Sequence, residues 1–88
     1  MKKRDKKRFE VAATIQNIIG DVPHIEMRSN LEFNIEGAKG VLEYDESVVR
    51  INTGRMVISL KGRRLNLKCL SPSNLVVSGF ITGIEFVT

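Results

Sequence analysis

The chain has one cysteine, one histidine, two prolines and no tryptophan among its 88 residues. Each shortage excludes something. A single thiol, Cys69, forms no intrachain disulfide, so the chain is not a stapled scaffold of the secreted kind. A single imidazole, His24, with no cysteine close to it fits no zinc spacing. It also leaves a Ser/His/Asp set without support, and no Gly-x-Ser-x-Gly elbow is present. Only five aromatics occur, so Val, Ile and Leu must build the core, each contributing about 1.5–3 kcal/mol when fully buried. No apolar run approaches the roughly 20 residues of a membrane-spanning helix. The glycines make no phosphate loop, because Gly54 and Gly62 lack a following Lys-Ser/Thr and helix. These absences point away from an enzyme and from a metal or cofactor site, and toward a protein that binds.

What is present begins with charge. Residues 1–8 hold six basic side chains (Lys2, Lys3, Arg4, Lys6, Lys7, Arg8) and one acid, Asp5, whereas residues 9–88 hold eight basic and nine acidic ones. The formal charge of +4 is therefore a tail of +5 on a nearly neutral body. Three readings fit such a tail. It is a solubilising end, an electrostatic contact for an anionic membrane surface or acidic protein, or a nucleic-acid arm. The last has least support, since the body carries no recognised nucleic-acid motif. Behind the tail, the stretch from Phe9 to Ile19 is interrupted by Glu10, Gln16 and Asn17, and no small-residue cleavage site follows. It is not expected to be a secretory signal, and the chain is expected to stay in the cytosol.

Phe9, Ala12, Ile15 and Ile19 recur near helical spacing, with Gly20 and Asp21-Val-Pro23 as a stop. They predict an amphipathic helix over residues 5–19, which needs a surface to pack on. From His24 the apolar period becomes two. Ile25 and Met27, then Leu31, Phe33 and Ile35, alternate, and short runs of this kind continue to Phe86. Between them stand Ser29-Asn30, Gly37, Asp45-Glu46-Ser47, Thr53-Gly54, Lys61-Gly62, Ser71-Pro72-Ser73, Gly79 and Gly83, read as turns. The expected architecture is a leader and helix over residues 1–20, then one mainly β domain over 21–88. The β domain is expected to be a small antiparallel β-sandwich with the helix packed outside it or across an open end, the alternative being a rolled sheet or short β-solenoid.

Other side chains have modest readings. Cys69 shares the strand face of Leu65 and Leu67 and is expected to be a buried, inert thiol. Glu43, Asp45 and Glu46 cluster at a turn without the spacing of a calcium loop. Lys61-Gly62-Arg63-Arg64 is expected to be a solvated loop tip.

One longer pattern carries more. The run from Pro23 to Gly37 is followed by Gly40-Val-Leu-Glu-Tyr44, Val49-Arg-Ile51, Gly54-Arg-Met-Val-Ile58, Lys61-Gly62, Leu65-x-Leu67 and Gly79-Phe-Ile-Thr-Gly-Ile-Glu-Phe86. With the basic leader and helix, this resembles the YabP/YqfC family of sporulation proteins over nearly the whole chain. The spacing of Asn30, Glu36, Gly40, Glu43-Tyr44, Arg50, Gly54 and Gly62 carries the resemblance. One departure is Ser29, where the pattern would have Gly. The resemblance implies a non-enzymatic protein of the mother cell, linked to spore envelope or cortex formation. It further implies pairing with a membrane protein of the YqfD kind and offers no catalytic residues. A self-associating β-domain adaptor, forming a homo-oligomer through sheet edges, is the competing expectation. A small-molecule substrate is not expected.

Overall fold

The computed structural model describes residues 22–88. Within them the backbone forms six strands and no helix: β1 (His24–Arg28), β2 (Glu32–Glu36), β3 (Gly40–Tyr44), β4 (Val48–Asn52), β5 (Val57–Cys69) and β6 (Asn74–Val87). The helix expected over residues 5–19 lies outside the described residues.

The strands make one open antiparallel sheet in the order β1-β2-β6-β5-β4-β3. The expected sandwich of two separate sheets is thus corrected, and uniform antiparallel pairing also excludes a solenoid. The reason is the length of the last two strands. β5 and β6 run for 13 and 14 residues, and each serves two neighbourhoods. Glu32–Glu36 of β2 pair with Asn74–Ser78 at the start of β6, while β4 pairs with Val57–Lys61 at the start of β5. Lys61-Gly62, Gly79 and Gly83, read in the sequence as turns, lie inside these long strands instead.

The long hairpin bends in its middle. Thr82 is an extra residue on β6, and Arg64 with Leu65 on β5 oppose Gly79 alone. Bulges of this kind bend a strand and increase its twist. Arg64 adopts φ +54° and Gly79 φ +133° at the bend. Close approach explains the glycines. A Cβ on Gly62 would sit 2.0 Å from the Phe80 carbonyl oxygen, and one on Gly79 would sit 2.5 Å from that of Arg64.

The bend folds the sheet over itself. Tyr44 is level with Val49 and Leu60 across β4 and β5. In a flat sheet Leu67 would lie roughly 20 Å further along β5, out of a tyrosine's reach. Yet the Leu67 amide donates to the Tyr44 hydroxyl at 3.1 Å, and the Leu65 amide donates to the Glu46 carbonyl at 2.8 Å. Opposite these, the β1–β2 turn receives hydrogen bonds from the amides of Gly79 and Ile81.

Folding over creates the core. Phe33, Ile35, Leu75 and Val77 from one half and Val49, Ile51, Ile58 and Leu60 from the other join a single buried cluster. Those are the middle strands of each half. Residues on the same face but one strand further out, such as Met27 beside Phe33, stay partly exposed. Ser29, the departure noted above, has φ +52°. That is the left-handed region in which glycine is least strained, so the turn accommodates serine at some local cost.

Candidate interaction surface

The residues that the sequence offers for contact, Lys2, Lys3, Arg4, Lys6, Lys7 and Arg8, lie outside the described residues. The other candidates can be placed. His24 is exposed on edge strand β1, where its Nε2 lies 2.9 Å from Glu26 Oε1. That hydrogen bond raises the His24 pKa, desolvation opposes it, and the charges of Glu26 and Glu36 add smaller upward contributions. The pair contributes to stability below the ordinary histidine pKa and loses that contribution as pH rises through the folded-state value. Solvent screening keeps it small.

Cys69 is exposed, which corrects the expectation of a buried thiol. It does face the same side as Leu67, opposite Leu75. However, β5 is the outermost strand of its half there, so nothing described covers the sulfur.

The acidic turn has a structural role. Asp45 Oδ1 accepts from the amides of Ser47 and Val48 at 2.7 and 2.8 Å and from the Ser47 hydroxyl at 2.8 Å. These bonds, the Ser47 amide first, pull the Asp45 carboxyl below its ordinary pKa. A depressed folded-state pKa stabilises the fold above the ordinary aspartate value, and the gain is lost as pH falls through the lowered one. Acid unfolding of the wild type is therefore expected to steepen below the ordinary aspartate pKa, and the Asp45→Asn variant is expected to lack this component. Coincident acid limbs in the two proteins would remove Asp45 as its source. Glu43 lies 3.9 Å from Arg50 across the β3–β4 pair. No group of three or more His, Cys, Asp or Glu side chains among the described residues is arranged to hold a metal ion.

The basic run Lys61-Gly62-Arg63-Arg64 belongs to the bend of β5 rather than to a loop tip. Arg63 lies over the Phe80 ring, 5.5 Å from its centre, a cation–π contact across the hairpin. The shallow hollow beside it is lined by Asp45 and Glu46 as well as Arg63 and Arg64. Mixed charge of that kind suits a protein contact better than a phosphate. A second hollow, over the outer face of β1, β2 and β6, is lined by His24, Glu26, Asn34 and Glu36. Asn34 donates to Glu32 there, and its buried Oδ1 has no partner among the described residues.

What sequence reasoning missed is a length of free strand edge. β2 accompanies β6 only as far as Ser78, and the β1–β2 turn covers Gly79 to Ile81. From Thr82 to Val87, β6 has β5 on one side and no described strand on the other. Ile84, Phe86 and Val87 are exposed along it. Their alternation reads in the sequence as an ordinary half-buried strand, and only the pairing reveals an edge.

No helix among the described residues is long and apolar enough to cross a membrane. The search of curated proteins finds no match. The YabP family model matches residues 21–88, which is the whole β domain and well over half of the chain. On that match, and on the β-rich fold it covers, the chain belongs to the YabP family, a family associated with sporulation.

Proposed function

We propose that this chain is a non-enzymatic binding protein of the mother cell that docks onto a membrane-associated assembly during spore envelope or cortex formation. Membership of the YabP family is the observation that carries the reading. Within the family we place the chain nearest the YqfC branch, and a membrane protein of the YqfD kind is the partner we propose. The distribution of charge supports the manner of docking. Residues 22–88 hold eight basic and seven acidic side chains, while residues 1–8 hold a net +5. Contact with an anionic surface is thus assigned to Lys2, Lys3, Arg4, Lys6, Lys7 and Arg8, with the β domain carried behind them near the membrane on the cytoplasmic side.

The test uses the full chain and anionic vesicles. Wild-type binding is expected to weaken as salt rises, because exposed charges are screened beyond about 8 Å at physiological ionic strength. Changing Lys2, Lys3, Lys6 and Lys7 to Gln is expected to weaken it by tenfold or more, since each lysine near such a surface contributes about 1 kcal/mol. The melting temperature should hardly move. A quadruple variant that binds vesicles and the membrane partner as wild type does, and still supports sporulation, would reduce the leader to a solubiliser and sink the docking reading.

A further inference from the structure

The fold has four stretches of strand edge with no described neighbour, and three of them are guarded. β1 alternates His24, Glu26 and Arg28 along its length, and charges on an edge discourage pairing with another chain. β3 is five residues long and bulged at Leu42, which twists an edge away. The free end of β5 carries Lys68, and its Leu67 amide is already bonded to Tyr44. The fourth stretch, Thr82–Val87 of β6, has one charge, Glu85, and no bulge beyond Thr82.

We propose that this edge of β6 pairs antiparallel with the same edge of a second copy of the chain, across a two-fold axis at Ile84. The occupant follows from what that register brings together. Ile84 meets Ile84 of the second copy, and Thr82 meets Phe86 of the second copy, so exposed apolar side chains are covered on both sides. Gly83 falls opposite Glu85 of the second copy. Within one chain Lys61 lies directly across from Gly83. Lys61, Gly83 and Glu85 of the second copy therefore form one row across three adjacent strands.

The middle place in that row has no side chain. A Cβ at Gly83 would meet nothing within 4 Å, so the Lys61 ammonium has open space through which to reach the carboxylate beyond. The ion pairs among the described residues are His24 with Glu26 and Arg50 with Glu43. Among the described residues, neither Lys61 nor Glu85 has such a partner. The two-fold axis makes the Lys61–Glu85 contact twice, and the register sets no like charges directly opposite, an arrangement that cross-strand pairing favours. The dimer would join the two sheets through the distal half of β6, beside β2 of each chain, with its interface isologous and closed.

Charge reversal in the full-length protein tests this register. Wild type is expected to be dimeric by light scattering at micromolar concentration. Lys61→Glu and Glu85→Lys each turn two attractions into two repulsions, and each alone is expected to weaken self-association by about tenfold to a hundredfold. Mixing the two variants in equal amounts restores both attractions, so a heterodimer should form although neither variant pairs with itself. Ile84→Lys is expected to give a monomer in every mixture while keeping a cooperative melt. A monomeric wild type overturns the proposal and gives the edge to another occupant, whether the chain's own N-terminal segment or a strand of a different protein. A dimer indifferent to all three changes overturns it as well, by placing the interface elsewhere.

Discussion

Replacing Gly62 or Gly79 by alanine is expected to remove a large part of the stability of the domain. The added Cβ at Gly62 would lie 2.0 Å from the carbonyl oxygen of Phe80, and that at Gly79 would lie 2.5 Å from the carbonyl oxygen of Arg64. Both obstacles are backbone, so no side chain can swing aside to relieve them. Gly79 also holds φ +133°, a conformation that an L-residue with a side chain rarely adopts. Opening the hairpin far enough to admit a methyl group would unbend it and separate the two halves whose contact is the core. The expected loss is about 3–5 kcal/mol for each variant, at the severe end for single substitutions. It is a large part of the roughly 5–15 kcal/mol that a domain possesses. Gly40→Ala is the control, because a Cβ there meets nothing within 4 Å, and it should leave the urea midpoint nearly unchanged. A Gly62→Ala or Gly79→Ala protein that melts with wild type would show that the bend does not hold the fold.

Phe33→Ala should be comparably damaging for a different reason. Phe33 has no exposed surface and stands opposite Val77 in the middle of its half-sheet. Truncation removes transfer free energy and leaves a cavity against the facing half, which together cost about 3–5 kcal/mol for a buried phenylalanine. The comparison that gives the number meaning is Met27, directly opposite Phe33 on β1 but 42% exposed. Met27→Ala should cost about 1 kcal/mol or less. Equal losses at the two positions would mean that β1 is covered as fully as β2, and the account of a core confined to middle strands would fail.

The contrast between Phe33 and Met27 marks the limit of the sequence. They sit in alternating runs on either side of the Ser29-Asn30 turn, and period two places each on the apolar face of its own strand without ranking their burial. The runs themselves are read correctly, as are the turns at Ser29-Asn30, Asp45-Glu46-Ser47 and Ser71-Pro72-Ser73, because apolar alternation and turn chemistry are local properties. The residue before Asn30 is even marked in advance, since Ser29 takes the positive φ that glycine would suit. Gly62 and Gly83 are misread for an equally local reason. A glycine that starts a turn and one inside a strand are identical in sequence, and only the strand pairing distinguishes them, as at Gly62, where an added Cβ would lie 2.0 Å from a carbonyl oxygen of the neighbouring strand. Cys69 fails in the same manner, being given the right face but the wrong exposure, because exposure depends on which strand lies alongside.

By itself, then, the sequence determines that the domain behind the leader is mainly β, and that the charge is gathered in residues 1–8. It also carries the pattern by which the YabP family is known. These follow from spacing, composition and turn residues, each a property of neighbours along the chain. The tertiary structure alone decides that there is one sheet rather than two, that β5 and β6 bend in mid-course, and that no described strand covers the outer strands of each half. It alone leaves Thr82–Val87 as an edge with no described neighbour. Those outcomes depend on the pairing of residues far apart in sequence, and a period of two says which way a side chain points without saying what lies opposite it.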